Sequence, residues 1–268
     1  MSGGVRALLR HRELALGLTR RELFAPFSGS SIGAAWALVH PLLQTLLYVA
    51  VFTSIFRLRF GGADTPRLDS TSYMIAGLIP WMTWAAVLNA ACTAVTGSAH
   101  LVRQADFPAE VLPLRTVLAT LAQQAVMVAV LLLYIGLRFG TVYWTWLLLP
   151  LVIGLQAVAM AGAAYALSAL CVFVRDAKEV VAFLVTLGIY LVPAFYLPGM
   201  VDGFPPALRA ALQWNPFTHY LNVWRDCLFW GELRSPWSWV VVALAAPLLA
   251  VPSFRAFRRL RLFFGNFT

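Results

Sequence analysis

The chain has 268 residues, of which 61% are hydrophobic and only 12% charged, and its mean hydropathy is +0.78. That balance excludes an ordinary soluble domain. It also turns the net charge of +9 from a nucleic-acid signal into loop charge that orients a membrane chain.

Nineteen of the twenty basic residues are Arg, with Lys178 the exception. Cys92, Cys171 and Cys227 are odd in number and far apart, so they give no disulfide framework and no metal-ligand spacing.

Residues 5–27 carry Val5, Leu8, Leu9, Leu16 and Leu23 on roughly one helical face, with Arg6, Arg10, Arg20 and Arg21 mostly elsewhere and Arg12 interrupting the apolar side. An amphipathic helix on an anionic cytoplasmic leaflet fits this pattern; so does a solvated basic tail that only obeys the positive-inside rule. No apolar core precedes Ser31, so the first span rather than a cleavable signal is expected to direct insertion.

Six apolar runs follow, at 34–56, 73–97, 111–137, 143–174, 180–197 and 237–254, each read as a membrane span because ~20 residues at about 1.5 Å each cover the hydrocarbon core. The fourth exceeds one crossing, and Pro193, Pro247 and Pro252 predict kinks or early ends in the last two. With the N-terminus inside, thirteen basic residues lie in inner segments and seven in outer ones, which predicts both termini in the cytoplasm.

Between the second and third spans, residues 98–115 form a polar island with His100, Arg103, Asp106 and Glu110, and with Pro108 and Pro113. Together with Leu101, Val102, Phe107 and Val111 they fit a short helix flat on the membrane, Pro108 opening a helical turn. One reading is a capped loop with solvated charges; the other is a docking element that receives force from a soluble partner. Before the last span, 204–230 reads as two short helices broken at Asn215 and Pro216. Both halves are partly apolar. The hairpin either dips into the outer leaflet as a re-entrant element or lies at the interface as an aromatic belt.

The chemistry of an enzyme is missing from the pattern. All eleven acidic residues fall outside the apolar runs, which removes the usual mark of an ion or proton relay. No carboxylate pair, His/Cys cluster or nucleophile elbow is present. The only lysine, Lys178, follows Ala177 rather than a glycine, so the chain lacks a phosphate-binding loop of the Walker type. Aromatic residues recur instead: Tyr48, Phe52 and Phe56 in the first run, Trp81 and Trp84 in the second, Tyr190, Phe195 and Tyr196 in the fifth. Tyr48, Phe52, Trp81, Trp84, Tyr190 and Phe195 are candidates to line a glycan path; core packing and an interface belt are the alternatives.

Phe27, Ser28, Gly29, Ser30, Ser31, Ile32, Gly33, Ala34, Ala35 and Trp36, followed by Pro41, open the first run; Ala76, Gly77, Leu78, Ile79, Pro80 and Trp81 lie in the second. With Leu101, Val102, Arg103, Phe107, Pro108, Leu112 and Pro113, then Arg175 and Asp176, then Asn215 to Thr218 and Arg225 with Asp226, the sequence resembles the permease subunit of ATP-binding-cassette polysaccharide exporters. This is the family of O-antigen, teichoic-acid and related cell-envelope glycan exporters. Ser28 departs from the basic residue often found there.

The resemblance implies a homodimer of permease chains over two cytoplasmic ATP-binding subunits, which would bind ATP and Mg; no cofactor is expected in this chain. It implies coupling to the ATPase through 98–112, with Arg103, Asp106, Phe107, Pro108 and Glu110, and an outer gate with Asn215, Pro216, Arg225 and Asp226. The substrate would be a polyprenyl-linked polysaccharide.

The expectation is therefore an all-α integral membrane protein of the cytoplasmic (inner) membrane: six spans, an N-terminal interface helix and a re-entrant hairpin. It would be a transporter subunit, not an enzyme, with no nucleic-acid partner. The rivals are a same-architecture permease for a lipid or small amphiphile, and a membrane-embedded glycan-modifying enzyme.

Overall fold

The structure is a computed structural model that describes residues 11–25, 29, 33–51, 54, 68–103, 107–201 and 203–267. The expected site residues Phe52 and Asp106, the start of the N-terminal helix and the end of the first expected span lie outside the described residues. Every regular element among the described residues is helical: α1 (Arg12–Phe24), α2 (Trp36–Val51), α3 (Ser70–Ala94), α4 (Val111–Phe139), α5 (Leu149–Phe173), α6 (Ala177–Leu191), α7 (Pro206–Trp214), α8 (Pro216–Arg225) and α9 (Pro236–Phe267).

Four stretches are long and apolar enough to cross a membrane: Ser70–Ala94, Val111–Phe139, Trp144–Phe173 and Pro236–Gly265. The expected spans at 34–56 and 180–197 are represented by α2 and by α6, which has only 15 residues, about 22 Å at the usual rise per residue. α6 stops because Pro193 disfavours helical backbone at Val192, which is extended at φ −114° and ψ 130°. α3 starts earlier than the apolar run. Asp69 caps it by accepting a hydrogen bond from the Ser72 N–H at 2.9 Å. α4 ends where Gly140 takes the left-handed conformation, φ +60°, which a side chain would strain.

The last helix runs on past the apolar run at 237–254. Neither Pro247 nor Pro252 ends it, and it continues through Arg255, Arg258, Arg259 and Arg261 to Phe267. Arginine is a good helix former, so the end of the apolar run is not the end of the helix.

The core lies where α3, α4, α5, α8 and α9 meet, with Trp224, Phe229, Leu131, Ile135 and Met160 fully buried. α9 lies along α5 so closely that a Cβ on Gly162 would meet the Ala250 backbone at 2.7 Å. A second cluster, Leu112, Tyr165, Phe257 and Phe264 with partly buried Leu101, Val102 and Phe107, fills the other end of the molecule. That end gathers α1, the 98–110 segment and the C-terminal part of α9: Glu22 of α1 pairs with Arg115 at 2.8 Å and accepts from the Thr116 hydroxyl at 2.9 Å. The opposite end joins the start of α3 to the end of α4, where the Tyr134 hydroxyl donates to Asp69 at 2.8 Å.

Leu16 of α1 is exposed, while Ala15 and Thr19 are buried. The helix therefore packs through small and polar residues, and an expected apolar residue faces outward.

Candidate transport machinery

The described parts of the 98–110 segment are a short helical turn, Ala99–Val102, and a turn at Ala109 and Glu110 that leads into α4. Arg103 is exposed. Phe107 and Pro108 are half-buried, Phe107 against the Leu112, Tyr165 and Phe257 cluster.

Glu110 is turned inward and is only 5% exposed. Its carboxylate accepts from Arg261 at 2.5 Å and lies 3.6 Å from Arg258, while its carbonyl accepts the Tyr165 hydroxyl at 2.9 Å. A buried carboxylate is tolerated when it is paired and hydrogen-bonded, and this one ties the residues leading into α4 to α5 and α9 together.

The hairpin ahead of α9 is organised by neighbouring buried residues of opposite charge. Asn215 breaks it: its side-chain oxygen accepts the Phe217 N–H at 3.0 Å, capping α8, and its amide donates to the Leu191 carbonyl at the end of α6 at 2.9 Å. Pro216 takes the first helical position of α8, where its missing N–H costs nothing.

Arg225 is 2% exposed and donates to the carbonyls of Pro193 at 2.6 Å and Ala194 at 3.0 Å. It also donates to the Tyr73 carbonyl at 3.4 Å and lies 3.8 Å over the Tyr73 ring. The Pro193 and Ala194 carbonyls lie just past the end of α6 and the Tyr73 carbonyl lies in α3, so the guanidinium joins the α6 break to α3 and satisfies buried backbone there. Gly77 makes room for it: a Cβ there would fall 2.6 Å from the guanidinium. Burial pulls the Arg225 pKa down against the favourable Tyr73 interaction; an arginine still keeps its proton at neutral pH.

Asp226 begins a π-helical turn, Asp226–Trp230. Its Oδ2 accepts the Ser235 N–H and the Trp239 indole N–H, both at 3.0 Å, which fastens the hairpin to the start of α9. Burial raises its pKa, and those two donors work in the other direction.

The aromatic candidates are dispersed. Trp81 and Trp84 are 3% exposed and meet Phe217 edge-on at 5.4 and 5.2 Å. They bind α3 to the hairpin, and Trp81 also fills the notch at Gly188, where a Cβ would collide with its ring. Tyr48 and Phe195 are half-buried, and Tyr190 is 65% exposed.

Sequence reasoning missed three polar contacts: Glu110 with Arg261, Arg225 with the α6 break, and the pair Gln124 and Gln156, 3.3 Å apart, whose Oε1 on Gln156 also accepts the Trp224 indole at 2.6 Å. The only signal was the presence of polar residues in or beside apolar runs. Among the described residues, no group of His, Cys, Asp and Glu could hold a metal ion.

Long apolar helices packed around hydrogen-bonded helix breaks, four of them long enough to cross a bilayer, define a helical membrane protein. The chain belongs to the ABC-2 type transporter family, whose pattern matches residues 14–229, and it is thus a membrane subunit of a transporter. It is 31% identical over 246 residues to the O-antigen export system permease protein RfbA of Myxococcus xanthus, covering 90% of this chain and 89% of that one. It is 25% identical over 226 residues to a protein of the same name from Klebsiella pneumoniae, covering 83% and 82%.

Proposed function

We propose that this chain is the channel-forming permease of a polysaccharide exporter in the cytoplasmic membrane, moving a polyprenyl-linked glycan outward with energy from a separate ATP-binding subunit. The observation that carries this reading is the likeness to the O-antigen export permease of Myxococcus xanthus along nine tenths of the chain. In this reading two copies pair over two ATPase subunits, which hold ATP and Mg. α2 and α6 complete six crossings, and both termini are cytoplasmic.

The inner end of the molecule, with α1, 98–110 and the basic end of α9, faces the ATPase. Arg103, Asp106, Phe107 and Pro108 form the docking edge, and Glu110 anchors it from behind. α7 and α8 form a re-entrant outer gate, pinned by Asn215, Pro216, Arg225 and Asp226. Tyr48, Phe52, Tyr190 and Phe195 serve the glycan path, with Trp81 and Trp84 bracing the gate beside it.

The test is export of glycan in cells that carry this chain with its ATPase. Removing the chain should leave lipid-linked polysaccharide accumulated inside and the surface bare. Normal surface glycan without the chain, or export of a small amphiphile in its place, overturns the reading.

A further inference from the structure

The groove between α2 and α4 has two sides of opposite chemistry. On one side lies a cavity of about 370 Å³ lined, among the described residues, by Val39, Leu42, Val126, Ala129, Val130 and Leu133. On the other is a cavity of about 340 Å³ into which His40 and Gln44 of α2, Thr83 of α3, and Thr120, Gln123 and Gln124 of α4 converge. These six polar side chains sit in otherwise apolar helices, and the spacings 40/44 and 120/123/124 put each set on one helical face.

Pro41, Met82, Ala86 and Met127 complete the lining; its polar groups are amides, hydroxyls and the His40 imidazole, and among the described residues no carboxylate, lysine or arginine lines it. The Thr83 hydroxyl donates to the Ile79 carbonyl at 2.9 Å and the Thr120 hydroxyl to the Thr116 carbonyl at 3.0 Å, so both offer lone pairs outward. Gln124 is held in place by Gln156. Gln44 is half-buried and His40 exposed. Thr83, Thr120 and Gln124 are satisfied in part by these bonds, but His40, Gln44 and Gln123 facing hydrocarbon would carry a desolvation cost. The apolar side of the groove suits lipid, and the polar side must then face water, protein or cargo.

We infer that the polar cavity is a subsite of the transport path that takes an uncharged, hydroxyl-bearing sugar unit of the passing chain. The inference rests on the glycan-export reading. A sugar hydroxyl both donates and accepts, and the mixed amide and hydroxyl lining matches it in both senses. The size falls in the range of small-molecule sites, about 300–1,000 Å³. Each neutral hydrogen bond is worth only about two- to tenfold in affinity, weak enough for a chain that must be released at every step.

The experiment combines a Gln44→Leu/Gln123→Leu variant with a photo-crosslinking amino acid placed singly at Gln44 and, as a control, at Leu133 on the apolar side. Each is expressed with the ATPase in cells making radiolabelled glycan. The double variant should lose about tenfold in surface glycan, as expected for two lost hydrogen bonds, while membrane abundance and ATPase co-purification stay unchanged. Labelled sugar should crosslink at position 44 and not at 133. Full export by the double variant, or no sugar captured at position 44 while the unaltered chain exports glycan, overturns this subsite alone. If the unaltered chain exports no glycan, the functional reading fails first and takes the subsite with it.

Discussion

Glu110 and Arg261 are 151 positions apart in the chain, yet their side chains meet at 2.5 Å. The pair fastens the segment that leads into α4 to the far end of α9, and Arg258 supports it at 3.6 Å. Glu110→Ala should cost about 1–2 kcal/mol of stability. That is below the ~3–5 kcal/mol of a wholly buried pair, because the two arginines are partly exposed and can return to water. ATPase co-purification and export should fall with it. Arg261→Glu should be worse, since it sets two carboxylates together, and the exchange Glu110→Arg/Arg261→Glu should recover part of the loss. A double-mutant cycle on the thermal melt of the complex reads the coupling directly; additive effects would dissolve the link.

Phe107→Ala tests the docking edge. A buried aromatic anchor should cost about 2 kcal/mol or more of ATPase binding, whereas Arg103→Ala, an exposed charge, should cost about 0–1 kcal/mol. Because Phe107 also packs on its own chain, membrane abundance must be measured beside ATPase co-purification. Full binding and full export by Phe107→Ala at normal abundance would make the segment a simple tether.

Orientation can be read by cysteine labelling. Cys92, Cys171 and Cys227 are all buried, so background labelling should be low. Lys178→Cys, at an exposed site in the first turn of α6, should resist an impermeant reagent applied to intact cells, and Gly203→Cys, exposed near the hairpin, should react. Labelling at position 178 would reverse the proposed topology.

Arg225→Ala should destabilise the protein by about 2–4 kcal/mol, since it strips charged donors from buried carbonyls at the α6 break. Arg225→Lys should restore less than half of that, because an ammonium cannot reproduce the planar fork. The readout is the thermal melt of the purified protein, with limited proteolysis across 193–203 as a local probe. Equal stability of all three proteins would show that the break needs no donor.

The long helices were legible because membrane-length apolar runs leave little choice of structure. α4 and α5 nearly coincide with the runs at 111–137 and 143–174. The break at Asn215 was legible too, since a residue before proline avoids helix. What hydropathy could not carry is pairing across distance. That the last helix runs on past the apolar run was not legible, because Arg255 to Arg261 look like a tail until Glu110 is seen beside them. Arg225 read as a loop charge because the carbonyls it serves belong to Pro193, Ala194 and Tyr73, far away in the chain. Trp81 and Trp84 look alike as sequence whether they face a path or, as here, Phe217.

The fit of Trp81 into the notch at Gly188 restricts the kind of motion this protein can make. A slip of α6 along α3 by one helical turn, about 5.4 Å, would bring a residue bearing a Cβ against the indole, so the seam works as a lock and not as a bearing. Any widening of the passage must then carry α3 and α6 as one lever that pivots.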